Sequence, residues 1–321
     1  EMQKVPDFGY KIEGLWISGF QRSFIRKNLL FPFKLISSLI KSRKIIRRFQ
    51  PDLVIGTGGF ASGPLLYAAS RKGVPSVIQE QNSYPGITNK LLAKSVHKIC
   101  VAYDNMERFF PKEKLIFTGN PIRKEILNSS NKREEGKNFF KLHNGRITVL
   151  VVGGSLGAKT INESINNNLG EFKKNKLNLI WQTGVSYENQ AKESVKNINV
   201  SGIQSYKFIK EMDLAYAAAD IIVSRAGAIA ISELCFIGKP VILVPSPNVA
   251  EDHQTQNAQS LVNKNSALMV KDVESRLKLV ENIKSLSKNK DLQEELSRNI
   301  KKLEVKDAAD RIADLSLELV K

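Results

Sequence analysis

The sequence predicts an α/β protein with two parallel-sheet domains, and three observations lead to this prediction. Short apolar segments alternate with amphipathic helical segments along most of the 321 residues, and glycine-rich turns separate them. Such alternation is typical of parallel strands joined by right-handed helical crossovers. The pattern stops near residue 123, in a stretch rich in Lys, Glu and Asn, and starts again at residue 147. A chain of this length is also expected to form two domains.

The first domain is predicted at residues 1–122. A strand leads into the glycine turn 56–63, and an apolar helix follows it to residue 69. The segment before residue 18 resembles the middle of a fold, so we expect an opening strand and helix to precede Glu1. The predicted strands of this domain cover residues 53–55, 74–79, 98–102 and 115–118.

The second domain is predicted at residues 123–306 and repeats the pattern. Its first strand ends in the glycine turn 153–157, which a helix to about residue 169 follows. The segment from residue 273 is helical by period, and we attribute its last apolar stripe to core packing. The predicted strands of this domain cover residues 147–152, 177–181, 221–224 and 241–244.

The composition restricts the class of protein further. Two cysteines, Cys100 and Cys235, are too few for a disulfide scaffold or a cysteine zinc site, and both are predicted to be buried thiols. The net charge is +17, from 49 Lys and Arg against 32 Asp and Glu. Residues 20–50 contain nine basic side chains and no acidic one. This local excess predicts a polyanion or an anionic membrane as partner.

Three glycine turns indicate where a ligand binds. Parallel sheets bind ligands at the carboxyl ends of their strands, where helix N-termini present free N–H groups to phosphates. The turns 56–63, 153–157 and 225–228 have this form, and together they favour a diphosphate ligand. An NAD site is not supported, because the strand after the turn 153–157 ends without an acidic residue. Glu233, about two helical turns after the third turn, could accept a ribose diol or pair with Arg225.

Six motifs occur in order along the chain, at residues 56–64, 79–90, 119–123, 152–158, 224–233 and 251–258. Together they closely resemble the peptidoglycan glycosyltransferases of the MurG family. The resemblance covers essentially the whole chain. It implies a GT-B fold, in which two Rossmann-like domains face a cleft and a final helix, 307–321, packs back on the first domain. It also implies inverting transfer of GlcNAc from UDP-GlcNAc to the C4 hydroxyl of MurNAc in lipid I, with no required metal or cofactor.

The resemblance implies a role for individual residues. Glu233 would bind the ribose hydroxyls, Arg123 would lie beside the uracil, and the main chain at Ile209 would contact the uracil edge. The donor site would comprise Asn82, Arg123, Ser155, Ile209, Arg225, Gly227, Ala228, Glu233, Gln254 and Asn257. The acceptor diphosphate would be bound by Gly58, Gly59, Ser62 and Gly63.

Two departures from the family pattern bear on activity. Gln79 occupies the place where many relatives have a histidine. The family's first glycine loop, with the histidine that serves as general base, would lie upstream of Glu1. We therefore expect this chain as it stands to lack much of the activity. His97 and His143 lie outside the motifs and are predicted to be surface or core histidines, whereas His253 belongs to the donor-sugar segment.

The resemblance also gives the basic segment a function. Aromatic and leucine side chains alternate there with Lys and Arg, which is the composition of an interfacial membrane anchor. The predicted membrane patch is Arg22, Phe24, Arg26, Lys27, Leu30, Phe31, Phe33 and Lys34. For Leu39, Ile40, Ile45 and Ile46 we predict core packing instead. The enzyme would lie on the cytoplasmic face of the bacterial cell membrane, with UDP-GlcNAc, lipid I, the anionic lipid surface and cell-wall or division proteins as partners.

Two alternatives belong to other classes of function. A nucleic-acid-binding protein would use the same basic segment, but the sequence contains no RNA- or DNA-reading motif, so we expect no nucleic-acid partner. Another UDP-sugar enzyme, either a GT-B transferase with a different acceptor or a UDP-GlcNAc epimerase, is the nearer alternative. An epimerase would need carboxylates and histidines across the cleft, where Glu80 is the one evident acid besides Glu233.

Overall fold

The computed structural model describes residues 2, 5–19 and 29–320. The chain divides into two compact units, one of Glu1–Gly119 with Asp310–Lys321 and the other of Asn120–Ala309. The boundaries predicted at residues 122 and 306 lie a few residues from these divisions. The α/β class with two parallel sheets is confirmed.

The first unit contains a parallel sheet of four strands among its described residues, in the order β1-β2-β3-β4. Val54 pairs with Ser76, and Val77 with Lys98, in parallel register. In chain order its elements are α1 (Phe31–Phe49), β1 (Val54–Gly56), α2 (Gly59–Ser70), β2 (Ser76–Glu80), α3 (Ile87–Leu92), β3 (Lys98–Val101) and β4 (Leu115–Phe117).

Apolar side chains cover both faces of this sheet, as the two-residue period of a strand requires. Ile78 and Ile99 point into a core with Leu66 of α2 on one face. Their neighbours in sequence, Val77 and Cys100, point to the other face. There they contact Ile312, Leu315 and Leu319 of the C-terminal segment, so α14 (Ala308–Glu318) completes the first unit.

The second unit contains a parallel sheet of six strands in its described residues, in the order β7-β6-β5-β8-β9-β10. Counted from the first strand of the unit, this is the strand order of the doubly wound dinucleotide-binding fold. Its strands are β5 (Thr148–Val152), β6 (Asn178–Gln182), β7 (Ile203–Tyr206), β8 (Ile221–Ser224), β9 (Val241–Leu243) and β10 (Leu268–Met269). Its helices are α4 (Lys124–Leu127), α5 (Arg133–Phe139), α6 (Lys159–Asn167), α7 (Leu169–Lys174), α8 (Glu188–Ile198), α9 (Met212–Ala218), α10 (Ala228–Ile237), α11 (His253–Val262), α12 (Ser275–Lys288) and α13 (Lys290–Lys301).

The core of the second unit is anchored at Trp181, which is fully buried in β6. Its indole N–H donates to Asn162 Oδ1 at 3.0 Å, and Asn162 Nδ2 donates to the carbonyl oxygen of Thr183 at 2.8 Å. Asn162 itself is buried in α6, so both of its hydrogen bonds form in a dry environment. This connection fixes the helix after the glycine turn against the end of β6.

Several local expectations need correction. The glycine turn predicted at 56–63 is short, because α2 begins at Gly59 and includes most of it. Strands β7 and β10 were not expected from the sequence. Ile40 was predicted to pack in a core, but its side chain is 49% exposed.

Both cysteines are buried free thiols, as predicted, and burial raises the pKa of Cys235 to about 12.

Within the described part of the chain, no helix has both the length and the apolar character needed to cross a bilayer.

Candidate nucleotide-binding site

A cavity of about 560 Å³ opens in the second unit where the strand order reverses. At this point the helices after β5 and β8 lie on opposite faces of the sheet, which leaves a crevice between the two turns. Gly153, Gly154 and Gly157 line one side, and Arg225 and Gly227 line the other. Ligands of doubly wound folds bind in this crevice.

The turn after β5 packs directly on the end of β6. A Cβ atom added to Gly157 would lie 2.2 Å from the carbonyl oxygen of Thr183, and the φ angle of Gly157 is +82°. Only glycine allows this contact and this conformation together. Ser155 and Leu156 lie exposed at the tip of the turn. The turn therefore has a fixed base and a tip that is open to solvent.

The turn after β8 leads into the N-terminus of α10 at Ala228. Gln254 of α11 holds this turn, because its Oε1 accepts from the N–H of Ala226 at 3.2 Å and from the N–H of Ser246 at 2.9 Å. Gly227 lines the cavity, and no described atom lies within 4 Å of a Cβ added to it. The free N–H groups at the start of α10 are suited to a phosphate group.

Glu233 is almost completely buried on α10 and accepts three hydrogen bonds. Arg123 Nε donates to Oε1 at 2.7 Å and Arg123 Nη2 donates to Oε2 at 2.9 Å. The hydroxyl of Tyr216 donates to Oε2 at 3.2 Å. The hydrogen bonds to Glu233 raise the pKa of Arg123 above its usual value. A buried carboxylate at a cavity wall is suited to bind a pair of hydroxyl groups.

Arg225 does not pair with Glu233, so the ion pair considered from the sequence is wrong. Its Nη1 donates to the carbonyl oxygens of Val244 and Pro245 at 3.1 Å each, and it pairs with Asp272 at 2.5 Å. The side chains of this pair are only 15% and 12% exposed. Arg225 therefore ties the end of β8 to β9, and its guanidinium is already occupied.

Gln182, which the sequence analysis did not select, joins two predicted parts of the site. Its Oε1 accepts from the N–H of Ile209 at 2.9 Å, and its Nε2 donates to the carbonyl oxygen of Gly154 at 3.1 Å. The N–H of Ile209, expected at the uracil edge, thus has an internal partner. Gln182 sets the spacing between the glycine turn and the segment at 208–209.

The structure brings most of the predicted donor residues together. Ser155 is at the exposed tip of its turn and Asn257 lies behind the cavity, where its Nδ2 is 3.4 Å from the carbonyl oxygen of Ala226. Ala228 is the first residue of α10. The predicted residues that line the cavity directly are Arg123, Ile209, Arg225, Gly227, Glu233 and Gln254. Residues that line the cavity and were not predicted from the sequence include Lys159, Gln182, Phe208, Met212 and Tyr216.

The remaining predicted residues belong to the first unit. Asn82 lies in a loop that is organised by Glu80, which is buried at the end of β2. Oε1 of Glu80 accepts from the N–H of Asn82 at 3.0 Å, and Oε2 accepts from Asn89 Nδ2 at 2.8 Å. Glu80 therefore fixes this loop by internal hydrogen bonds.

The four glycine and serine residues predicted for the acceptor diphosphate lie at the start of α2. Gly58 is the N-cap of this helix at a φ angle of +84°, and Gly59 and Gly63 lie in its first turns. The hydroxyl of Ser62 donates to the carbonyl oxygen of Gly58 at 2.6 Å. The N-terminus of a helix that begins in this way presents backbone N–H groups, which suits an anion.

The three histidines have separate environments. His97 Nδ1 accepts from the N–H of Ser76 at 3.2 Å, and His143 Nε2 lies 2.7 Å from the hydroxyl of Ser201. His253 is the first residue of α11. None of the three is among the described residues that line the cavity.

Lys239 supports the helix that carries Tyr216. Its ammonium group donates to the carbonyl oxygens of Tyr216 at 2.6 Å and Ala217 at 2.7 Å, and also to that of Ala219. These carbonyls lie at the C-terminus of α9, where a helix leaves acceptors without partners. Burial lowers the pKa of Lys239 to about 8.

We expect Lys239→Met to destabilise the protein by about 1–3 kcal/mol, because buried carbonyl groups lose their donor. A lysine whose pKa is lower in the folded than in the unfolded chain contributes stability that grows as the pH rises from about 8 towards 10.5. The difference in unfolding free energy between wild type and variant should therefore widen over this range in urea titrations. Lys192→Met, which removes an exposed partner of Glu188, is the control. A difference that stays constant with pH would contradict this account of Lys239.

The strand order and the two turns define the second unit as a nucleotide-binding domain of the Rossmann type. The sequence matches the glycosyltransferase family 28 C-terminal domain over residues 148–312 and the glycosyltransferase family 28 N-terminal domain over residues 1–101. The chain therefore belongs to glycosyltransferase family 28.

Two curated relatives are each 52% identical to the chain and are named UDP-N-acetylglucosamine--N-acetylmuramyl-(pentapeptide) pyrophosphoryl-undecaprenol N-acetylglucosamine transferase. They come from Flavobacterium psychrophilum and Cytophaga hutchinsonii, and each alignment covers 100% of this chain and 86% of the relative. Among solved structures, MurG of Acinetobacter baumannii is 27% identical with a TM-score of 0.79, over 99% of this chain and 88% of that one. A UDP-GlcNAc 2-epimerase from Neisseria meningitidis, 15% identical with a TM-score of 0.66 over 99% of this chain and 88% of that one, shares the fold.

Proposed function

We propose that the chain transfers GlcNAc from UDP-GlcNAc to the C4 hydroxyl of MurNAc in lipid I, which produces lipid II for peptidoglycan synthesis. The observation that carries the proposal is the 52% identity, over the whole chain, to relatives named for transfer of N-acetylglucosamine to this undecaprenol-linked acceptor. The membership in glycosyltransferase family 28 gives the same reaction class.

The chemistry of the cavity supports a UDP-sugar as donor. Glu233 would accept the ribose hydroxyls, and the N–H groups of the two turns would bind the diphosphate. Negative charge grows on the departing UDP in the transition state. Helix N-termini aimed at this charge stabilise it and so lower the activation barrier of the transfer. Gln254 supports the sugar assignment, because it lines the cavity and two backbone N–H groups hold its Oε1 in place.

Transfer of labelled GlcNAc from UDP-GlcNAc to a lipid I analogue tests the proposed function. The full-length protein should form labelled lipid II. The same protein carrying Glu233→Ala should not form it. Conversion of UDP-GlcNAc into UDP-N-acetylmannosamine without an acceptor would instead indicate an epimerase and contradict the proposal.

We also propose that the first unit docks on the cytoplasmic surface of the cell membrane. Of the predicted patch, residues 22–27 lie outside the described residues, and Leu30 and Phe33 are exposed. Helix α1 adds Ile36 and Ile40, which are 56% and 49% exposed. Basic residues lie beside these apolar ones on the same helix, and each contributes about 1 kcal/mol near an anionic surface. This combination supports an interfacial anchor.

Replacement of Phe33, Ile36 and Ile40 together by Ser should reduce sedimentation with anionic phospholipid vesicles several-fold, because the apolar contacts with the acyl boundary are lost. Val273→Ser with Leu277→Ser is the matched control, since these side chains are 76% and 82% exposed on the second unit.

A second variant with Arg22, Arg26, Lys27 and Lys34 replaced by Ser should also sediment less, and its loss should be largest at low salt. Unchanged sedimentation of both variants would contradict the docking proposal.

A further inference from the structure

The carboxylate of Glu233 is held by two side chains in different environments. The Arg123 side chain is 48% exposed, whereas that of Glu233 is 4% exposed, so the arginine reaches in from the solvent side. Tyr216 is 3% exposed and approaches from the protein interior. One partner of the carboxylate can leave into solvent, and the other cannot.

A count of acceptor positions limits what this carboxylate can bind. A carboxylate offers about four lone-pair positions. Arg123 occupies one on Oε1 and one on Oε2, and Tyr216 occupies a second on Oε2. A ribose diol needs two positions, but only one remains. Binding of both hydroxyls therefore requires Arg123 to give up at least one of its hydrogen bonds.

Tyr216 is fixed in place by its helix. Lys239 holds the carbonyls at the end of α9, and Lys132 pairs with Asp213 at 2.7 Å on the first turn of the same helix. Burial raises the pKa of Tyr216, so its hydroxyl keeps its proton and acts as a donor to the carboxylate. The direction of this hydrogen bond does not change when the arginine moves.

We propose that Tyr216 is a positioning residue for the nucleotide site: it keeps Oε2 of Glu233 oriented while the ribose hydroxyls displace Arg123 from its pair with the carboxylate. This inference rests on the proposed function, in which Glu233 binds the ribose. Tyr216 acts through Glu233 and has no assigned contact with the substrate.

Affinities for UDP and 2′-deoxy-UDP, measured by calorimetry on wild type and Tyr216→Phe, test the inference. Wild type should prefer UDP, because 2′-deoxy-UDP lacks one hydroxyl for Glu233. The variant should bind UDP about ten- to a hundredfold more weakly, the effect expected of one hydrogen bond to a charged group, and 2′-deoxy-UDP with a smaller loss. The preference for the ribonucleotide should therefore shrink.

Tyr187→Phe is the matched control. Its hydroxyl is also buried in the second unit, but no partner lies within hydrogen-bond distance among the described residues. This variant should bind both nucleotides as wild type does. Equal weakening of both nucleotides in Tyr216→Phe would indicate a merely structural role and overturn the inference, as would unchanged affinities.

A second measurement does not depend on the folding of the variant. With 3-fluorotyrosine at position 216 of the full chain, the ¹⁹F resonance should shift on addition of UDP and shift less with 2′-deoxy-UDP, because the fluorine lies next to the hydroxyl that contacts Glu233. Identical shifts with the two nucleotides would overturn the inference. A wild-type chain that binds neither nucleotide would contradict the proposed function itself, and the inference with it.

Discussion

Replacement of Glu233 by Ala should reduce the affinity of the chain for UDP at least about 100-fold. The carboxylate is the buried acceptor at the wall of the cavity, and hydrogen bonds to a charged group are worth about 1.5–3 kcal/mol each. Loss of two such bonds to the ribose corresponds to two or more powers of ten in the dissociation constant. Isothermal titration calorimetry with UDP measures this directly.

Glu125→Ala is the matched control for this experiment. Glu125 lies exposed on α4, two residues from Arg123, and its removal changes the net charge by the same amount. The control should bind UDP like wild type. A folded Glu233→Ala protein with wild-type affinity would show that this carboxylate does not bind the nucleotide.

Substitution by Ala should change the stability of the protein strongly at one glycine of the cavity and only slightly at another. Gly157→Ala should destabilise the protein by about 3 kcal/mol or more, because the new methyl group would meet the Thr183 carbonyl oxygen at 2.2 Å and the φ angle of +82° disfavours any side chain. Gly227→Ala should cost no more than about 1 kcal/mol, the penalty of Ala relative to Gly at an N-cap, since its φ angle is −66° and the space around it is open.

The substitution with the small effect on stability, Gly227→Ala, should have a large effect on ligand binding. The methyl group of Gly227→Ala projects into space at the start of α10, where the diphosphate would bind, and should weaken UDP-GlcNAc binding tenfold or more. Urea denaturation and calorimetry on the same samples separate the two effects. If Gly227→Ala bound UDP-GlcNAc with wild-type affinity, the diphosphate would not lie at this turn.

The sequence was sufficient to predict the fold class, and two of its predicted glycine turns, 153–157 and 225–228, line the same cavity. Apolar segments followed by glycine turns reveal both the strands and their carboxyl ends, and a parallel sheet brings these ends to one edge. The prediction was weaker where tertiary contacts decide the local structure. Helix α2 includes most of its glycine turn, and the two-residue strand β10 has too little pattern to be recognised.

The partners within the site could not be predicted, because they depend on contacts between segments distant in sequence. Arg225 and Glu233 are close in sequence, yet Arg225 pairs with Asp272 and Glu233 with Arg123, 47 and 110 residues away. Tyr216 lies in an apolar helix whose pattern predicts core packing. Nothing in the neighbouring sequence indicates a partner for its hydroxyl. The family resemblance named candidate residues of the site, and the structure shows which of them form hydrogen bonds with one another.

A crystal structure of the chain grown with UDP-GlcNAc tests most directly whether the cavity of the second unit is the donor site. We expect the ribose hydroxyls at about 3 Å from the carboxylate of Glu233, a diphosphate between the turn 153–157 and the start of α10, and Arg123 moved from its position on Glu233. A nucleotide bound in the first unit, or bound in the second with the Arg123–Glu233 pair unchanged, would contradict the account.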